Sequence, residues 1–155
     1  MTIDIEIVEP AWGEVGDIVQ RAGEAALTFV GVSTAELEVA VRLANDDEVR
    51  QLNHEYRNKD APTNVLSFES RVAADGWSAE MPRPVGDIIL GYGVVSREAA
   101  EQGKSLESHL CHLIVHGVLH LVGYDHQDDM AADKMEELEV KILAALGIEN
   151  PYAMA

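Results

Sequence analysis

Cysteine, basic residues and long apolar runs are scarce in this sequence, and each shortage removes a class of protein. A single cysteine, Cys111, leaves no internal disulfide to form, so the chain is no disulfide-stapled scaffold and suits a reducing compartment. No apolar stretch reaches the ~18 residues that a membrane span needs. Residues 1–20 carry acids in place of a basic and then apolar leader, and the expected location is the cytoplasm. Only 11 Lys and Arg stand against 28 Asp and Glu, for a net charge of −17. Nucleic-acid binders gain much of their affinity by neutralising phosphates with a basic face, so the overall balance argues against RNA. The distribution softens that objection, because residues 51–110 hold six bases and nine acids while the two flanks together hold five and 19. A local basic cleft inside an acidic shell is allowed, with salt-sensitive binding to free RNA.

What the sequence does hold is the periodicity of one mixed domain. A length of 155 residues suits a single domain that buries about two-thirds of its unfolded surface. Ile3, Ile5 and Ile7 alternate in a strand over Thr2 to Val8, and Leu37 to Leu43 alternates likewise through Val39 and Val41. Ala11 to Phe29 repeats apolar residues at helical spacing. Asn45 is a good cap for a short acidic-fronted helix running to about Tyr56. Thr63 to Phe68 and Val85 to Val94 read as a third and a fourth strand, with residues 69–84 an exposed loop between them. Ser96 is a candidate cap for a helix ending near Gly103. Leu106 to Val122 and Asp128 to Leu146 form two more helices, the last stopped by Gly147 and followed by a frayed tail at 149–155. Strands early and helices late predict an α+β fold, residues 1–155 as a single domain with a small mixed β-sheet of about four strands backed by helices.

The run His116-Gly-Val-Leu-His120-Leu-Val-Gly123-Tyr124-Asp125-His126 carries the functional signal. On a helix His116 and His120 point the same way, offset by about 40° and roughly 6 Å along the axis. Gly123 allows a left-handed exit that can swing His126 back toward them. Three neutral imidazoles leave a fourth tetrahedral position open, as in catalytic zinc sites. The spacing matches the zinc-protease pattern H-E-x-x-H-x-x-G-x-x-H at both outer histidines and the glycine, but Gly117 stands where that motif has its general base. Peptide hydrolysis is therefore disfavoured.

The same run resembles the signature of the YbeY family of bacterial metal-dependent endoribonucleases. Further resemblances follow in order: Leu52-Asn53-His54-Glu55-Tyr56-Arg57-Asn58-Lys59-Asp60 with Thr63-Asn64-Val65-Leu66-Ser67-Phe68, then Gly86-Asp87-Ile88-Ile89-Leu90, then Met135-Glu136-x-x-Glu139 and Leu146-Gly147. Together they span roughly residues 35–148. The resemblance implies a single-strand-specific endoribonuclease with one zinc ion per chain on His116, His120 and His126. It implies work in maturation of the 16S ribosomal RNA 3′ end and in ribosome quality control, with ribosomal RNA, the small ribosomal subunit and ribosomal proteins as partners. On the residue alone, Arg57 is either a solvated charge or a fork-shaped phosphate clamp; the resemblance implies a functional residue of the cleft.

Other residues receive weaker readings. His112, one turn before His116, is a structural residue or a hydrogen-bond partner of a ligand, and His109 and His54 have no argument beyond surface position. Asp125 and Asp87 are candidate carboxylates, Asp125 more readily a turn former. The base is left open among these two, water at the metal, and the RNA's 2′-hydroxyl. Thr63 and Asn64 bond backbone at a strand start, Lys59 is a weaker companion of Arg57, and Asp60 starts a turn. Cys111 is a small buried residue. Met135, Leu138 and Leu143 face the core, Met135 as a floor for the metal site. Two rivals stand: a ribosome-associated assembly factor whose metal is structural, closed by His112 or Cys111, and a zinc protease-like metallohydrolase.

Overall fold

Alternating and helical stretches resolve into four strands and five α-helices in a computed structural model that describes residues 2–29, 37–69, 83–122, 124 and 128–152. The strands are β1 (Thr2–Ile7), β2 (Leu37–Ala44), β3 (Val65–Glu69) and β4 (Arg83–Gly91). The helices are α1 (Gly16–Phe29), α2 (Asp46–Arg57), α3 (Tyr92–Glu101), α4 (Leu106–Leu121) and α5 (Asp129–Ala145). This is the expected α+β architecture. The sheet runs β1-β2-β4-β3, with β1, β2 and β4 parallel and β3 antiparallel on the edge beside β4.

Strand alternation divides the core between the two faces of the sheet. Val39, Val41 and Leu43 of β2 and Ile88 and Leu90 of β4 face the main core, which α1, α4 and α5 complete. Ile89 and Leu66 point the other way, onto Ala44 and Val49 at the start of α2. Side chains such as Leu43, Ile88, Leu90, Ile114 and Leu119 are fully buried, each contributing about 1.5–3 kcal/mol. Helix α4 lies between the sheet and helices α1 and α5, so ten of its residues are buried. A polar side chain on such a helix has to be satisfied inside the protein.

Two element boundaries differ from expectation. The helix expected from Ala11 begins at Gly16, after a 3-10 turn over Pro10–Trp12 and Gly13 at φ 71°. That turn drops Trp12 into the core, where its indole N–H donates to Ala44 O at 2.9 Å. Likewise β4 stops at Gly91 and α3 starts at Tyr92, ahead of the expected cap Ser96. The cap comes from another helix: Asp46 of α2 accepts the Val94 N–H at 3.0 Å. A Cβ on Gly93 would sit 2.3 Å from that carboxylate, so glycine there makes room for the cap. The expected loop at 69–84 falls outside the described residues over 70–82, and Gly123, Asp125 and His126 also lie outside them.

Candidate metal centre

Ser105 starts α4 by accepting the Ser108 N–H at 3.1 Å. His109, His112, His116 and His120 then recur at the three- and four-residue spacings that align side chains on one stripe of a helix. At the far end Tyr124 N–H returns to Leu119 O at 3.0 Å. A backbone bond spanning five residues is the closure used where a helix stops abruptly and reverses.

His116 is tied to α5. Its Nδ1 lies 2.5 Å from Oε1 of Glu139, whose side chain is fully buried while the imidazole is 28 % exposed. A carboxylate only accepts, so Nδ1 carries the proton and Nε2 is the lone-pair nitrogen. Carboxylates orient metal-binding imidazoles in this way, fixing the tautomer and raising ligand basicity. Burial pushes the Glu139 carboxyl up, but hydrogen bonds from His112, His116 and Tyr152 outweigh it and hold the group down at about 2. The Tyr152 hydroxyl donates to Glu139 Oε2; burial, then the neighbouring carboxylate, pushes that phenol well up and keeps its proton on.

His120 follows one turn later. Its Nδ1 is buried with no hydrogen-bond partner among the described residues. The Nδ1 atoms of His109 and His112 are orphaned in the same way, so this feature by itself does not mark a ligand. Two imidazoles one turn apart, one of them held by a buried carboxylate, are donors that fit a divalent ion with a taste for nitrogen, zinc above all. No group of three ligating side chains occurs among the described residues, and His126, the third ligand of the sequence reading, lies outside them.

The other sequence candidates fall in different places. Gly117 points at the sheet: a Cβ there would meet Ile88 Cδ1 at 3.0 Å and Ser67 Oγ at 3.2 Å. A glutamate at 117 would be driven into β3 and β4, so glycine allows α4 to lie close on the sheet. Asp87 pairs in register with Phe68 and shares the sheet face opposite Ile88 and α4, which removes it as a base beside the histidines. Arg57 ends α2, exposed, with no ion pair among the described residues. The adjacent Tyr56 packs edge-on against Phe68 of β3 at 5.5 Å. Edge strand β3 thus touches the end of α2 through Phe68 and α4 through Ser67, on opposite faces. Lys59 is also exposed, and Asp60 pairs with Arg50 at 2.7 Å.

His109 corrects the surface reading: it is buried, its Nε2 donating to Glu98 at 3.0 Å. Asn64 bonds the same carboxylate at 3.0 Å and takes the Val65 N–H at 2.7 Å, as expected at a strand start. His112 Nε2 lies 3.2 Å from the Tyr152 hydroxyl and 3.7 Å from Glu139, so it touches the partner of His116 rather than His116 itself. Cys111 is buried as expected, and burial pushes its thiol up to about 11. The residue that sequence reasoning passed over is Glu139, matched in the closing-helix block but given no role. A signal was present: Met135, Glu139 and Ile142 share the buried stripe of α5, and an acid on an apolar stripe has to be paired.

Comparison with known proteins gives this site a family. Residues 5–147 match the family profile described as Endoribonuclease YbeY. Curated proteins named Endoribonuclease YbeY from Rhodopseudomonas palustris (strain BisA53) and Novosphingobium aromaticivorans are 46 % and 48 % identical to this chain. The first alignment covers 97 % of this chain and 89 % of the relative, the second 95 % and 93 %. A third, from Azorhizobium caulinodans, is 42 % identical over 99 % of this chain and 98 % of its own. The solution structure of TM1509 from Thermotoga maritima shares the fold, with a TM-score of 0.59 at 24 % identity over 94 % of this chain and 91 % of that one. On these grounds the chain belongs to the Endoribonuclease YbeY family.

Proposed function

We propose that this protein is a metal-dependent endoribonuclease that cuts single-stranded RNA at phosphodiester bonds, with one zinc ion on His116, His120 and His126. Its task in this reading is maturation of the 16S ribosomal RNA 3′ end and ribosome quality control in the cytoplasm, with the small ribosomal subunit and its proteins as partners. Family membership and the names of its relatives support the activity. The observation that carries the metal is the buried Glu139 carboxylate on His116 Nδ1.

When bound, such an ion polarises a phosphodiester oxygen and makes water a better nucleophile. The chain's own residues do the rest. Glu139 keeps the His116 proton on Nδ1 and the ring at a fixed angle. Arg57 offers an exposed guanidinium to the phosphate, offsetting charge that grows in the transition state. Arg42, Arg50 and Lys141 are already paired with acids, whereas Arg57 and Lys59 make no such pair among the described residues. That leaves cationic groups for RNA at the end of α2 despite the acidic total. Positions 117 and 87 face the wrong way to supply a base. Asp125, water at the metal and the RNA's own 2′-hydroxyl are the alternatives that remain.

The orientation of Gly117 weighs against a peptidase. A structural metal would need a fourth protein ligand, but His112 is engaged with Tyr152, and Cys111 faces α1 beside Ile18 and Arg21. Elemental analysis with RNA cleavage tests the proposal. Wild type is expected to hold about one zinc per chain, His116→Ala to hold none while staying folded, and Arg57→Ala to keep zinc and lose cleavage. A folded, metal-replete wild type without zinc, or full cleavage by Arg57→Ala, would contradict it.

A further inference from the structure

The matched family region ends at residue 147, yet a contact to the metal centre comes from beyond it. Gly147 sits at φ 79°, and Ile148 N–H returns to Leu143 O at 2.8 Å, a glycine-closed helix end that reverses the chain. Asn150 to Tyr152, in the stretch expected to fray, are held in place. Lys104 Nζ donates to Pro151 O at 3.3 Å, and Asn150 Oδ1 accepts the Tyr152 N–H at 2.8 Å. The Tyr152 side chain then reaches Glu139 with its hydroxyl and packs edge-on against His112, ring centroids 5.4 Å apart.

The proton inventory gives this contact a direction. Glu139 only accepts, so the single phenolic proton of Tyr152 goes to Oε2. The phenol oxygen, 3.2 Å from His112 Nε2, then accepts from that nitrogen. The result is a directed chain, His112 N–H to Tyr152 O–H to Glu139, meeting the His116 Nδ1–H at the other carboxylate oxygen. Each donor locks the carboxylate orientation seen by His116.

We infer that Tyr152 is a positioning residue of the metal centre, its hydroxyl fixing the Glu139 carboxylate that in turn fixes the tautomer and angle of His116. The inference rests on the proposed metal site, and it makes the segment after α5 part of that site. A tail that only packs would need the ring of Tyr152 and not its oxygen.

The test is Tyr152→Phe in the full chain, which keeps the ring against His112 and removes one donor. Two readouts are taken: zinc affinity by competition with a chelator, and the imidazole ¹⁵N shifts of His116 in metal-free protein. The expected result is zinc binding weaker by about tenfold, the lower range for loss of a ligand's supporting partner. Alongside it, the His116 Nδ1–H tautomer of the wild type should give way to a mixture, with the unfolding midpoint held within a few degrees. Unchanged affinity together with an unchanged tautomer overturns the role of Tyr152. A wild type that binds no zinc overturns the metal reading instead, and the metal-free tautomer ratio still decides whether Tyr152 positions His116. If Tyr152→Phe does not fold, Lys104→Met, which releases Pro151 and leaves the network's side chains intact, is expected to move both readouts the same way, and no movement overturns the inference.

Discussion

The histidine–glutamate pairs at His109 and His116 of helix α4 lie two turns apart, and they differ in which partner is buried. At His109 the imidazole is hidden, only 4 % of its side chain exposed, and Glu98 is the wetter partner at 30 %. At His116 the order is reversed, with Glu139 fully buried and the imidazole 28 % exposed. The first pair spends its Nε2–H on tying α3 to α4, and Asn64 adds the start of β3. The second spends Nδ1–H on an interior carboxylate, which leaves Nε2 as the basic nitrogen of a half-exposed ring. The pKa directions agree. Burial pulls His109 down against the opposing effect of Glu98, whereas the donors around Glu139 overcome burial and keep it charged. A histidine–glutamate contact alone therefore says little about function; which member meets solvent separates a clamp from a site.

The comparison breaks most sharply at the ligands. His120→Ala should take zinc from about one per chain to near none and RNA cleavage to background, whereas His109→Gln should keep both, as elemental analysis and a cleavage assay would record. Gly117→Glu comes next. Restoring the protease-like acid should yield no peptidase, because the side chain enters the contact with Ile88 and Ser67. Overpacking with a buried charge should remove about 3 kcal/mol, read as an unfolding midpoint lower by roughly 10 °C.

The two glutamates then sharpen the contrast. Glu139→Gln should weaken zinc binding by about 10–100-fold, while Glu98→Gln should leave zinc untouched and cost about 1 kcal/mol of stability. Equal loss of zinc affinity in both would erase the distinction. The smallest effect is in acid. Glu139 is depressed from the ordinary 4.5 to about 2, so its charge contributes stability above 4.5 that is lost as pH falls toward 2. Denaturant midpoints of the zinc-free protein at pH 5, 4 and 3 should fall more steeply for wild type than for Glu139→Gln.

Features set by neighbouring residues were legible in the sequence. Asn45 caps α2 by accepting the Glu48 N–H at 2.9 Å, as its position before an acidic turn implies. The strands and α4 follow from their periods of two and 3.6. The α+β fold and the family follow from motifs whose order along the chain is visible. Features set across long separations were not legible. The start of α3 depends on Asp46, 48 residues before the N–H it caps. The turn at Trp12 depends on Ala44, 32 residues on. His109 looked like a surface residue because its partner Glu98 belongs to another helix. At the site, spacing alone placed His116 and His120 on one stripe, but the carboxylate behind His116 comes from 23 residues away and its phenol partner from 36.

The most direct test of the account is cleavage of a single-stranded RNA by zinc-loaded protein, by the same sample after chelation, and after zinc is returned. Cleavage that stops on chelation and recovers with zinc, while His120→Ala stays inactive throughout, is the predicted result. Cleavage that survives complete removal of the metal, or persists in His120→Ala, would contradict a metal-dependent ribonuclease built on α4.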